Sequence, residues 1–191
     1  PEYILLAGVA GLLAGSFSMA AGEYVSVRAQ RELFEQQIAM EKQELEMSPK
    51  EEEEELALIY QAKGIPDDQA RALARRIIAN PKTAIDTLAR EELGLNPAEL
   101  GSPWVAAGSS FLAFVIGAFV PVLPYLFSDG TTAWVASGLL SCLALFGVGA
   151  LISIFTARGP MVSGLRMLGI GLLASAITYA VGALLGVSMA G

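Results

Sequence analysis

The sequence predicts an all-α membrane protein with four transmembrane helices and a cytoplasmic helical insert between the first and the second. Only 16% of the 191 residues are charged, whereas about a quarter of a soluble domain is. Four apolar stretches are each long enough to cross a hydrocarbon core of roughly 30 Å. The charge is also confined: residues 28–100 hold 16 acidic and 10 basic side chains, a net of −6 out of a total of −7. Outside them the chain carries only Glu2, Glu23, Asp129, Arg158 and Arg166. The expected organisation is a transmembrane helix over 1–27, an acidic helical domain over 28–103 and three transmembrane helices over 104–191.

In chain order, Tyr3 to Val27 is the first span, with Glu23 its only charge. A basic n-region is missing and the apolar run is too long for a signal peptide. Gly8, Gly11, Gly15, Ser18 and Gly22 allow close helix approach in lipid, within one subunit or between two. Arg28 and Arg31 mark the cytoplasmic end by the positive-inside rule. No breaker intervenes before Met47, so the helix is expected to continue into water. Ser48-Pro49-Lys50-Glu51 reads as a new start, with Ser48 as N-cap, Pro49 at the first position and Glu51 at the capping-box position. That helix should run from Pro49 to Lys63 and close at Gly64. Ala70, Leu73, Ala74 and Ile77 give Pro66–Ala79 an apolar stripe, and Asn80-Pro81 caps a further helix ending at Gly94.

Asn96-Pro97 and Gly101-Ser102-Pro103 form the linker back to the membrane. Trp104 to Phe127 is the second span, with Trp104 and Tyr125 as interfacial anchors and with Pro121 and Pro124 expected to kink it or end it early. Ser128-Asp129-Gly130 turns on the non-cytoplasmic side. Thr132 to Thr156 is the third span, and Leu165 to Val187 the fourth, with Ser175, Gly182 and Gly186 as packing residues. Arg158 and Arg166 flank the turn between them. This topology places Pro1 outside, and the chain begins without Met, so an upstream span is expected to be missing.

Composition excludes several chemistries. The chain has no histidine and one cysteine, which excludes an internal disulfide and a zinc or copper site built on imidazole or several thiolates. Cys142 lies in an apolar run and reads as a buried core residue. Nucleic acid is not an expected partner, because phosphate binding requires a basic patch. The sequence contains no Ser/His or Cys/His pair and no Gly-Lys phosphate loop. An enzyme is therefore not expected, and transport would have to be secondary.

The acidic segment offers a different chemistry. Glu41/Glu44 and Glu52/Glu55 are pairs at i,i+3 spacing, which places each pair on one helix face. A helix, a break and a second helix can bring the pairs face to face, where four carboxylates repel unless cations or protons lie between them. From spacing alone a solvated acidic face remains the simpler reading, since Glu51–Glu55 covers every side of a helix. Met19 and Glu23 share a face of the first span, and an ionisable group in a span is a candidate functional site. The bland alternatives are a packed methionine and a Glu23 paired with Arg28 or Arg166.

The run SFSMAAGEYVSVRAQRE at Ser16–Glu32 resembles the second transmembrane helix of the vacuolar iron transporter family. The resemblance continues through the acidic insert and the REELGLNP segment to the last span. It extends to the membrane half of bacterial ferritin-like/iron-transporter fusions. It implies a homodimeric antiporter that exports Fe²⁺, with Mn²⁺ as a second cargo, from the cytoplasm in exchange for protons. It assigns metal binding to Glu41, Glu44, Glu52, Glu55 and Glu92, and a place on the translocation path to Met19, with Glu23 beside it. Carboxylates without imidazole suit Fe²⁺, Mn²⁺ or harder ions; Zn²⁺ and Co²⁺ complete the candidate set. The sequence departs from the family where Leu88-Ala89 stands in place of a Met-Met pair, and the family's first helix, with its pathway aspartate, is absent. A bacterial inner membrane is expected rather than a vacuolar one. The alternatives are a membrane-tethered metal-binding or sensing module that does not transport, and a scaffold whose acidic insert docks a basic partner.

Overall fold

A computed structural model describes residues 2–184 and Gly186. Pro1 and Val187, the expected end of the fourth span, lie outside the described residues. These residues form seven α-helices: α1 Glu2–Met47, α2 Pro49–Ala62, α3 Asp67–Ile78, α4 Pro81–Glu91, α5 Pro103–Val122, α6 Gly130–Thr156 and α7 Pro160–Leu184. Stretches of α1, α5, α6 and α7 are long and apolar enough to cross a membrane, and the protein is all-α as the sequence predicts. Two compact units are built on these helices, one from Pro1–Ser18 with Phe111–Gly191 and one from Met19–Ser110.

In the first unit, small residues set the packing. A Cβ on Gly149 of α6 would fall 2.6 Å from the Ser163 carbonyl oxygen and 2.9 Å from the Gly164 Cα. Both obstacles are backbone of α7, which a rotamer change cannot move. Gly149→Ala is expected to cost about 1–3 kcal/mol by overpacking, read as a lower thermal midpoint in detergent. Gly8 and Gly15 of α1 face Val122 and Phe114 of α5, so these two glycines pack within the subunit. Gly11 has no atom within 4 Å of a built Cβ. Phe17 meets Phe111 edge-on at 5.2 Å.

Pro121 ends α5 early, as expected: the helix stops at Val122 and tightens to a 3₁₀ turn over Leu123–Leu126. The Ser137 hydroxyl donates to the Pro121 carbonyl at 2.7 Å. Two expectations need correction. The last helix starts at Pro160 rather than Leu165, because proline suits the first helical position, so Arg166 lies inside α7 instead of flanking the turn. Cys142 is half-buried rather than buried.

The second unit is organised by α1, which runs without interruption from the apolar residues to Met47. Tyr24 of α1 meets Trp104 of α5 in a tilted ring pair at 4.8 Å, and Arg31 donates to the Gly101 carbonyl at 3.2 Å. Gly101 has φ +72, a left-handed conformation that glycine adopts without a Cβ penalty. The core is Leu45, Leu56, Ala57, Ala74, Ala84 and Leu88, flanked by Tyr60, Ile77, Ile78 and Ile85. Asn80 caps α4, accepting from the Lys82 and Thr83 amides at 3.2 and 3.4 Å. Asn80→Ala should cost about 1 kcal/mol, measured by chemical denaturation.

The Ser48 side chain makes no capping bond, contrary to expectation. The residue joins two helices directly. Its amide donates to the Glu44 carbonyl, while its own carbonyl accepts from the Glu51 and Glu52 amides. Its ψ of 53 departs from the extended backbone from which an N-cap side chain reaches the next amides.

Candidate metal centre

The five glutamates predicted from sequence converge in the second unit. Phe34, Ile38, Glu41 and Leu45 recur along α1 at helical spacing, and with Gln37 they are the less exposed positions of that stretch. This puts Glu41 in the buried stripe that α1 presents to its neighbours. Glu52 stands in the first turn of α2, where Pro49 and the break at Ser48 fix the start of the helix. Glu92 is the C-cap of α4.

The result is two trios that share one residue. Glu41, Glu44 and Glu52 each offer a carboxylate oxygen within 4.8 Å of the others, and so do Glu52, Glu55 and Glu92. Glu41 is 3% exposed and Glu52 5% exposed, whereas Glu44, Glu55 and Glu92 open to solvent. The Glu41 Oε1 and Glu52 Oε2 atoms are buried without a hydrogen-bond partner. Leaving such a group unpaired costs about 1–3 kcal/mol, and more when it is charged. Among the described residues, none of the five forms an ion pair.

Electrostatics follow from this crowding. Burial, then the charges of Glu92 and Glu52, push the Glu41 carboxyl up to about 8. Burial also raises Glu52, as do the charges of Glu92, Glu55 and Glu44. Glu92 is raised by desolvation and by Glu55 and Glu44. Such a site holds protons or a cation. Its donor set is all oxygen, which fits hard and borderline divalent ions, and Glu52 is common to both trios.

Met19 and Glu23 are not part of this cluster. Both are exposed on α1, and Glu23 lies about 27 Å from Glu41 along the helix axis at 1.5 Å per residue. Arg28, considered as a partner for Glu23, instead pairs with Glu32 at 2.6 Å. A groove of about 540 Å³ in the same unit, lined by Leu45, Pro49, Ile78, Pro81 and Ile85 with Lys42 and Lys82, includes none of the five glutamates.

Sequence reading missed the sorting of the remaining carboxylates. Glu53 meets Arg75 at 3.2 Å, Glu54 meets Arg71 at 3.7 Å, and Glu91 pairs with Lys63. The i,i+4 spacing of Arg71 and Arg75 was the available signal, since it defines a basic stripe on α3.

Comparison with known proteins shows the family to which the chain belongs. The VIT family model matches residues 1–183. A vacuolar iron transporter of Acanthamoeba castellanii is 35% identical over 187 residues, covering 94% of this chain and 68% of that protein. Vacuolar iron transporter 2 of Oryza sativa subsp. japonica is 30% identical, covering 92% and 72%. Vacuolar iron transporter 1 of Arabidopsis thaliana is also 30% identical, covering 92% and 71%. With its four apolar helices the chain is an integral membrane protein, and it belongs to the VIT family.

Proposed function

We propose that the protein is a secondary transporter that moves a divalent metal, Fe²⁺ foremost and Mn²⁺ as a second cargo, out of the cytoplasm in exchange for protons. The glutamate cluster captures the ion, and Met19 and Glu23 serve its passage at the membrane. The single observation that carries the capture step is the pair of orphaned buried oxygens on Glu41 and Glu52, within reach of Glu44, Glu55 and Glu92. Buried carboxylates facing one another are compensated by an ion of opposite charge, and a ligand set of carboxylates must lose protons to bind it. The names of the relatives support iron as the cargo. The residues 28–103 then form the capture domain, on the cytoplasmic side, and the protein works as a homodimer in a bacterial inner membrane.

A second reading, a tethered metal-binding module without transport, draws on the distance between the cluster and Met19 with Glu23. Flux separates the two. The full chain reconstituted in sealed liposomes, with an Fe²⁺-sensitive dye inside and a pH gradient imposed, should move iron at a rate that follows the gradient. Binding without flux would favour the module.

A further inference from the structure

The hairpin of α6 and α7 carries two arginines that the glutamate cluster does not use. The first unit, residues 1–18 with 111–191, has Glu2, Asp129, Arg158 and Arg166 as its charged side chains. The two acids belong to one end of it. Asp129 precedes α6 and Glu2 opens α1, and Ile4 and Leu5 share a groove with Tyr125 and Ser137. The arginines belong to the other end. The 27 residues of α6 rise about 40 Å, and Arg158 lies in the turn beyond them. Both arginines are exposed, and among the described residues neither forms an ion pair.

Depth decides what can answer these charges. From Met167 to Leu184 α7 has no charged side chain, a length of about 27 Å against a hydrocarbon core of roughly 30 Å. Arg166 therefore stands where α7 leaves the hydrocarbon, and its long stem lets the guanidinium reach headgroup level. Ile154, Phe155, Val162 and Leu165 at the same end of the hairpin are exposed and apolar, a surface suited to acyl chains rather than water. An ionised group at the edge of the hydrocarbon needs a counter-charge, and the first unit has its acids at the opposite end. A lipid phosphate supplies one, since its oxygens accept paired hydrogen bonds from a guanidinium.

We propose that Arg158 and Arg166 form a binding site for the headgroup of an anionic phospholipid, whose acyl chains lie on the apolar end of the α6–α7 hairpin. Basic residues at the ends of transmembrane helices take up such headgroups. A zwitterionic lipid carries the same phosphate with its own ammonium, so the site should prefer net negative charge. Free phosphate has no acyl chains to seat and should not compete.

The test titrates the full chain in neutral detergent with phosphatidylglycerol and counts bound lipid by native mass spectrometry. Arg158→Gln should raise the half-saturating concentration about fivefold and Arg158→Gln/Arg166→Gln about thirtyfold, as expected for one and two arginines near a lipid surface. Lys82→Gln, which removes an exposed cation of the second unit, should leave it unchanged. Phosphatidylcholine should bind the native chain markedly more weakly than phosphatidylglycerol does. If the double variant does not fold, Arg158→Gln alone carries the comparison, because Arg158 lies outside the helices. Unchanged phosphatidylglycerol binding in the arginine variants, or equal binding of phosphatidylcholine, would overturn the site. Displacement of the lipid by inorganic phosphate would overturn a phospholipid as its occupant.

Discussion

Glu52→Ala is expected to weaken divalent metal binding by about 10–100-fold, more than Glu44→Ala, Glu55→Ala or Glu92→Ala. Glu52 alone belongs to both trios, so its loss removes a ligand from both positions. It is also 5% exposed, so water cannot readily take the place of its carboxylate. Glu44, Glu55 and Glu92 lie at the open side, where water can substitute for a lost ligand. Calorimetric titration of the four single variants gives the ranking directly. Equal losses at all four positions would contradict a shared, buried Glu52.

Stability should fall as pH rises without metal, and metal should reduce that fall. The Glu41 carboxyl, ordinarily near 4.5, is raised to about 8 in the fold. Folding therefore favours its protonated form, and the stability this contributes is fully present below the ordinary value and lost as the pH rises through about 8. Glu52 and Glu92 are shifted in the same direction. In chelator, unfolding of the glutamate unit should become easier by a few kcal/mol between about pH 5 and pH 9. Divalent metal at about 100 times its Kd should return about 2.7 kcal/mol at the alkaline end. It should return less at pH 5, where protons compete for the same oxygens. Denaturation monitored by helical circular dichroism at both pH values, with and without Mn²⁺, measures this offset. A metal-free chain that is more stable at pH 9 than at pH 5 would refute the crowding argument.

Much of this was legible in the sequence for physical reasons. Long apolar stretches specify spans, and Asn80-Pro81 specifies a helix start by its chemistry, which the Asn80 hydrogen bonds bear out. The absence of a breaker between Val27 and Met47 foretold one continuous α1. Ser48 misled because capping residues are read as if a loop precedes them, whereas here another helix does. The start of α7 was misplaced because Arg166 looks like a boundary, although a long arginine stem is tolerated inside a helix near its end. The i,i+3 spacing could propose that Glu41, Glu44, Glu52 and Glu55 converge. It could not reveal which oxygens are orphaned or that Glu53, Glu54 and Glu91 are neutralised, since those depend on where α3 and α4 pack.

The account stands most directly on one anaerobic calorimetric titration of the full chain in detergent with Fe²⁺, with Mg²⁺ as competitor. The comparison is between the native protein, Glu41→Ala/Glu44→Ala and Glu52→Ala/Glu55→Ala. Binding by the native protein that survives Mg²⁺ and is lost in both double variants is the predicted result. Native binding retained in both variants, or no binding at all, would leave the glutamates as a solvated acidic surface and remove the capture step from the proposed transport.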